Sequence, residues 1–328
     1  VKVRGLSRDE IEKYCQPGCA INKTLKPSID RKAFLVMAGD HGVVEEGVSA
    51  YPQVITGEMV RAFLMGGAGI NILADGINAE VQVVDMGIIP HLDPDSLENG
   101  HKLLVRKMGE GTENMAKGPA MTRKKAEEAV LTGFELASNL FENGVELLGT
   151  GDMGIGNTTP SAAIGAVITL IDLEEMVGRG TGVDDEGLMR KKEAIRRAIA
   201  LNHPDPKNGL DVLAKVGGFE IGGIAGCILA GAYHNRPVVI DGFISTAGAL
   251  IANALCPSVT DYLFAGHCSE EPGHRAMLNY LQLEPILDLG MRLGEGTGGA
   301  LAMGIMDGAA QISREMLTFE EAGVTTSH

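Results

Sequence analysis

Tryptophan is absent, and aromatic residues make up only 4 % of the 328-residue chain, although 45 % of it is hydrophobic. With 45 glycines and 15 methionines in their place, the interior is expected to be close-packed from small side chains and cut by many tight turns. Positive charge is also scarce: 28 Lys and Arg against 43 Asp and Glu leave a formal net charge of −15. That field opposes phosphate backbones and anionic lipid surfaces, so neither nucleic acid nor membrane is expected as a partner. An anionic small molecule would have to be met by local donors. No apolar run reaches the length of a membrane span, and the first residues, VKVRGLSRDEIEKY, do not resemble a signal peptide. Five cysteines are an odd number in a long chain, which argues against a disulfide framework and for reduced thiols in a cytoplasm. Cys15 and Cys19 have a loose metal-like spacing, yet no His/Cys pair follows them, so no metal is expected.

Short apolar runs ending at Gly or Asp read as strands buried on both faces: Ala33–Ala38, Glu80–Asp85, Val145–Gly149, Pro237–Asp241 and, more weakly, Tyr262–Gly266. Between them, helical patterns cover Glu58–Ala74, Thr122–Asn143, Met189–Leu201, Leu210–Val216, Thr246–Leu255 and Ala300–Met316. The alternation predicts an α/β fold, a Rossmann-like parallel sheet with helices on both faces over residues 31–300. Residues 1–30 and 301–328 do not fit it and are assigned to a smaller, mainly helical domain or an oligomer contact. Ligands of such folds gather at the carboxyl ends of the strands. Asp40, His41, Asp85, Asp152, Asp241 and Ser269 all lie there.

Two glycine-rich turns suit an anion. In GTGDMGIGNTTPSAA (Gly149–Ala163), Asn157 to Pro160 start a helix, with Thr158 or Thr159 as N-cap and Pro160 as first helical residue. Exposed N–H groups at that helix start would hold a phosphate. Gly149, Gly151 and Gly154 also spell GxGxxG with Asp172 about twenty residues on, a fingerprint of dinucleotide sites. The second turn, GRGTG (Gly178–Gly182), precedes MRKKEAI, where Lys191 is placed to reach an anion, while Arg190 and Lys192 read as a solvated face. Asp40-His41 reads equally as an acid–base pair or as an Asp that merely caps backbone N–H groups. His267 and His274 read as ordinary loop histidines, and Cys268 has no base beside it.

MRLGEGTGGALAMGI (Met291–Ile305) contains one carboxylate, Glu295, among glycines and apolar residues. Such a group must be exposed, paired, or poised near neutrality for proton transfer.

AGDHGV (Ala38–Val43), GDMGIGNTTPSAA, NHPDPKNGLDVLAKVGGFEIGG (Asn202–Gly223), DGFISTAGAL (Asp241–Leu250) and RLGEGTGGALAM (Arg292–Met303) together resemble the nicotinate-nucleotide:dimethylbenzimidazole phosphoribosyltransferases, from about Arg31 to Met316. The resemblance implies a Rossmann-like sheet with a smaller helical domain, a dimer with its sites at the interface, and no cofactor. It implies transfer of phosphoribose from nicotinate mononucleotide to an aromatic lower-ligand base of cobamides, with inversion to the α-riboside phosphate. By motif position it makes Glu295 catalytic and puts phosphate contacts at Gly154, Gly180, Lys191 and Ser269, to which the helix start adds Asn157 and Thr158. Asp40, Asp152 and Asp241 stand as supporting groups.

The chain departs from that family in three places. Tyr51 and Met59 stand where a serine and a glutamine of the base pocket are common, and Asp152-Met153 replaces a glutamate-leucine pair. With Met153 and Leu293, these residues predict a drier pocket, less suited to a two-nitrogen benzimidazole and better suited to a smaller, more apolar acceptor such as phenol or p-cresol. Ahead of the first strand only QPGCAINKTLKP (Gln16–Pro27) stands where a KPPGSLG-like loop is usual, so the dimer is expected to be either a homodimer or a heterodimer with a paralogous subunit. Two other readings remain open: an NAD-dependent oxidoreductase using the GxGxxG at Gly149, and a non-catalytic subunit.

Overall fold

Every residue of strand β1 (Lys32–Gly39) is buried. Ala33, Leu35 and Met37 face one hydrophobic core, and Phe34, Val36 and Ala38 face a second on the other side of the sheet. A central parallel strand covered on both faces has this pattern, which accounts for the unbroken run AFLVMA. The structure, a computed structural model, describes residues 21, 27–92, 103–318 and 321–323.

To one side of β1 lie β2 (Ala79–Gly87) and β3 (Leu103–Val105). To the other lie β4 (Leu147–Met153), β5 (Val238–Ile240), β6 (Leu263–Ser269) and β7 (Pro285–Met291). The described residues thus form a seven-stranded parallel sheet in the order β3-β2-β1-β4-β5-β6-β7. The order reverses between β1 and β4, where connections diverge and a crevice opens at the carboxyl ends. Ala38 pairs with Met153, so Asp40-His41 and Gly154-Ile155 leave the sheet side by side.

The pattern expected as one helix over Glu58–Ala74 is two, α1 (Val54–Leu64) and α2 (Gly69–Asp75). Gly66, at φ +74°, turns the chain between them, a conformation glycine adopts without cost. The larger core is covered by α3 (Arg123–Glu142), α4 (Thr158–Thr169), α5 (Leu173–Met176), α6 (Asp185–Asn202), α7 (Gly209–Val216), α8 (Phe219–His234), α9 (Phe243–Leu255) and α10 (His274–Tyr280). The smaller is covered by α1, α2 and α11 (Thr297–Glu315). Helix α11 includes residues assigned above to a smaller domain, and it lays Ala300, Met303, Met306 and Ala310 on the sheet.

Helix α8 and strand β7 escape the sequence pattern. Helix α8 reads as a glycine-rich apolar stretch because it is buried along nearly its whole length. Glycines on both helices let α3 approach: a methyl group on Gly133 of α3 would overlap the Gly223 carbonyl, and one on Gly226 of α8 the Val130 carbonyl. The scarcity of aromatics has its counterpart here, in backbones packed where rings would not fit.

No helix among the described residues is long and apolar enough to cross a membrane. Cys15, Cys19 and most of QPGCAINKTLKP lie outside the described residues.

Candidate active site

A cleft of about 680 Å³, its open mouth included, lies at the carboxyl ends of β4 to β7. Its walls come from Asp152–Ile155 and Asn157-Thr158 after β4, Gly180-Thr181 in the second glycine turn, Gly242–Ile244 after β5, His267, Ser269 and Glu271 around the end of β6, and Arg292–Gly294 after β7. Of the residues singled out in the sequence, Asp152, Met153, Gly154, Asn157, Thr158, Gly180, Ser269 and Leu293 line this one cleft.

Lys191 lies beside it. Asp184 caps α6 by accepting from the Gly187 N–H at 2.8 Å, and the helix turns Lys191 inward while Arg190 stays exposed. The Lys191 side chain is wholly buried; Nζ donates to Thr158 Oγ1 at 2.7 Å and to the Gly178 carbonyl at 3.1 Å. Burial lowers its pKa to about 8, against a smaller upward pull from the Glu271 carboxylate. Gly180, at φ +53°, passes directly over it, and a Cβ there would stand 3.1 Å from Nζ and 2.6 Å from Thr158 Oγ1. A buried ammonium under a glycine turn, with a threonine hydroxyl at the cleft wall, is an arrangement that holds an anion.

Glu295 sits in the turn between β7 and α11 at φ +68°, flanked by Gly294 at +78° and Gly296 at +102°. A non-glycine residue in that region costs on the order of 1 kcal/mol and persists only where its surroundings hold it. They do: its carbonyl packs against Gly151, where no side chain would fit, and Oε2 accepts from the Ile70 N–H at 3.3 Å. Burial pushes its pKa up; backbone hydrogen bonds from Ile70 and Gly69 pull it down, and Asp241 pushes it up again. The carboxylate is therefore buried and raised, turned toward α2, and is not itself part of the cleft wall that Arg292–Gly294 form.

The supporting carboxylates differ in what they hold. Asp241 accepts from the Gly296 N–H at 3.1 Å and the Gly299 N–H at 2.9 Å, so it fixes the start of α11 and with it the Glu295 turn. Asp152 accepts from Asn157 Nδ2 at 2.9 Å, and its pKa is pushed well up by burial and then by Asp241 and Glu220. Asp40 accepts from Thr56 Oγ1 at 2.7 Å and the Ile89 N–H at 2.8 Å, and Thr56 Oγ1 accepts from the Ile155 N–H at 3.1 Å. Asp40 thus anchors the first glycine turn, the capping alternative of the two readings. His41 meets Glu220 instead, Nε2 to Oε1 at 2.9 Å with both side chains buried. Burial, the largest single influence, presses the imidazolium down, but the Glu220 charge and hydrogen bond together with the Asp40 charge outweigh it, and the net shift is upward.

Several expectations need correction. The N-cap of α4 is Asn157, not Thr158 or Thr159, and its side chain serves Asp152 rather than the helix; Pro160 is the third helical residue. Gly149 lies inside β4 under the Phe34 ring, and Asp172 caps the short α5, so the GxGxxG match marks strand packing rather than a dinucleotide turn. His267 and His274 are not loop residues: one ends inside β6 and the other starts α10, both buried. Tyr51 is half exposed and Met59 packs in the smaller core; neither lines the cleft. Thr56, Glu220 and Glu271 were missed. Glu220, the one charge in FEIGGIAG, carries the same signal that singled out Glu295.

Residues 7–324 match the phosphoribosyltransferase family model. The nicotinate-nucleotide–dimethylbenzimidazole phosphoribosyltransferase of Geobacter sulfurreducens is 52 % identical over 97 % of this chain and 89 % of its own length. The protein of the same name from Desulforudis audaxviator is 54 % identical over 93 % of this chain and 85 % of its own. The crystal structure of CobT from Thermus thermophilus superposes with a TM-score of 0.91 at 48 % identity, covering 97 % of this chain and 93 % of that one. The oxidoreductase reading is not favoured by any of these. With its buried ammonium, its glycine turns and the raised carboxylate of RLGEG, the chain belongs to the nicotinate-nucleotide:dimethylbenzimidazole phosphoribosyltransferase family, enzymes that transfer a pentosyl group.

Proposed function

We propose that this chain moves phosphoribose from nicotinate mononucleotide to an aromatic lower-ligand base, forming the α-riboside phosphate in cobamide biosynthesis in the cytoplasm. The observation that carries the reading is the buried Lys191 ammonium under Gly180 and against Thr158, beside a cleft also walled by Met153, Phe243, Ile244 and Leu293. The phosphate of the ribotide binds next to Lys191, with Gly154, Asn157 and Ser269 beside it, and the aromatic acceptor stacks on the apolar residues. Holding both partners converts an encounter into a single oriented displacement.

In that displacement the bond between C1′ and the pyridinium nitrogen breaks, and its electron pair returns to nicotinate, which leaves without needing a proton. The acceptor's nitrogen or oxygen attacks from the opposite face, inverting C1′, and its proton passes to Glu295. A carboxylate raised by burial is a better base than one in water. Asp241 and Asp40 work by holding the Glu295 turn and the glycine turn in register.

The acceptor is of benzimidazole or phenol type. Phenol and p-cresol are favoured by the apolar part of the wall, Met153, Phe243, Ile244 and Leu293. A phenol, with a reference pKa of about 10, asks more of the base than a benzimidazole does. The acting form is a dimer, homomeric or with a paralogous subunit. Competition assays offering dimethylbenzimidazole, phenol and p-cresol with nicotinate mononucleotide decide the acceptor, and a strong preference for dimethylbenzimidazole removes the phenol assignment. The same assays on the chain alone, followed by size-exclusion chromatography, decide the partner: full activity of a single species removes the heterodimer.

A further inference from the structure

His274 is wholly buried at the start of α10 and does not itself line the cleft, yet its ring touches Ser269 and Phe243 of the wall and reaches Gly242 through Thr246. Its Nδ1 accepts from the Ser269 backbone N–H at 2.7 Å. Its Nε2 lies 2.8 Å from Thr246 Oγ1, and that hydroxyl lies 2.8 Å from the Gly242 carbonyl, to which it donates. The Phe243 ring packs edge-on against the imidazole, centroids 6.2 Å apart. Ser269, Gly242 and Phe243 all belong to the cleft wall, from two different strand ends.

The hydrogen bonds admit one protonation state. Because Ser269 N–H donates to Nδ1, that nitrogen must carry a lone pair. Nε2 then carries the proton and donates to Thr246 Oγ1, whose own hydrogen goes on to the Gly242 carbonyl. The run is head to tail: Ser269 N–H, imidazole, threonine hydroxyl, Gly242 carbonyl. A second proton on the ring would set two N–H groups against each other at 2.7 Å. Burial, with smaller contributions from His267 and Arg275, pushes the imidazolium down to about 3, so nothing near neutral pH disturbs the run. The ring of His267 packs edge-on against it, centroids 6.3 Å apart.

We propose that His274 is a positioning residue of the transfer reaction: as a neutral, Nε2-protonated imidazole it braces the β6–α10 turn that carries Ser269 against the β5–α9 turn that carries Gly242 and Phe243. It touches no substrate. It sets the distance between Ser269 and the Phe243 ring. The proposal rests on the reading of the cleft given above.

Two measurements on the full chain test it. Nitrogen-15 NMR of histidine-labelled protein reads the tautomer and titration directly. His274 is expected to show a protonated Nε2, an unprotonated Nδ1, and no titration between pH 5 and 9. Steady-state kinetics then compare Thr246→Val, His274→Asn, which keeps an acceptor near the Nδ1 position, and His274→Leu, which keeps neither. KM for nicotinate mononucleotide is expected to rise roughly tenfold in Thr246→Val and His274→Leu and less in His274→Asn, with kcat changed less than KM. If His274→Leu does not fold, Thr246→Val and the spectrum of the unsubstituted chain carry the test. An active wild-type chain with a titrating or Nδ1-protonated His274, or with KM unmoved in the folded variants, overturns this proposal alone. A wild-type chain inert toward nicotinate mononucleotide overturns the functional reading, and the role assigned to His274 with it.

Discussion

Glu295 Oε2 accepts a hydrogen bond from the Ile70 N–H at 3.3 Å, across 225 positions of sequence. The contact ties the turn before α11 to the start of α2 and holds a buried carboxylate with its pKa raised. Replacing Glu295 by Gln keeps the shape and removes the base. Turnover is expected to fall by roughly 10²–10⁴-fold while binding of nicotinate mononucleotide changes little. Steady-state kinetics and calorimetric binding check this; equal loss in binding and turnover would make Glu295 a packing residue.

The direction of the Glu295 shift fixes a pH dependence. The base works only when ionised, and its folded pKa lies above the usual carboxylate value of 4.5. The rate is therefore full on the alkaline side and falls as pH drops through that raised value, before an unperturbed glutamate would protonate. A kcat profile from pH 4.5 to 8 shows the limb in the wild type and lacks it in Glu295→Gln.

Lys191 gives a limb of opposite sense. Its pKa of about 8 in the free protein rises when a phosphate binds beside it, because the anion favours the ammonium. Affinity for nicotinate mononucleotide is thus complete below about pH 8 and weakens as pH rises beyond it. Lys191→Met is expected to flatten that dependence and to weaken binding by roughly ten- to a hundredfold, the worth of a hydrogen bond to a charged group. Titrations between pH 6.5 and 9.5 check both.

Thr56 is the single hydroxyl between Asp40 and the Ile155 N–H. Thr56→Val leaves a buried carboxylate oxygen and a buried N–H without that partner, at a cost of about 1–3 kcal/mol each at most. Denaturant unfolding should show the loss, accompanied by a higher KM as the first glycine turn loosens. An unchanged midpoint would contradict the role given to Thr56.

Gly133→Ala tests the small-residue packing. The added methyl would overlap the Gly223 carbonyl and force α3 away from α8, costing roughly 1–3 kcal/mol or more. The site lies elsewhere, so kcat of the folded fraction is expected to stay near the wild-type value, measured beside thermal unfolding.

The sheet was legible where strands are unbroken apolar runs, as in β1, and at Asp40, Asp152 and Asp241, which do leave strand ends. It was less legible where glycines enter. Strand β4 runs on through Gly149 and Gly151 because Phe34 and the Glu295 turn occupy the space side chains would need. Helix α8 shows no amphipathic period because it is buried nearly throughout. Lys191 stood out by its place after the second glycine turn, and Glu295 by motif and by its isolation among glycines and apolar neighbours. Thr56 and His274 did not, because their partners lie on other strand ends and nothing local marks a residue that acts through a distant backbone N–H. Tyr51, just ahead of α1, and Met59, within it, do not line the cleft, because a match of motif position does not say which way a side chain turns.

The account stands most directly on one incubation of the chain with nicotinate mononucleotide and a panel of benzimidazoles and phenols, with products identified by mass and by the configuration at C1′. It predicts nicotinate released in step with an α-riboside phosphate of one of the aromatics, and loss of that product in Glu295→Gln. Nicotinate release without an aromatic riboside, or a β-configured product, would contradict it.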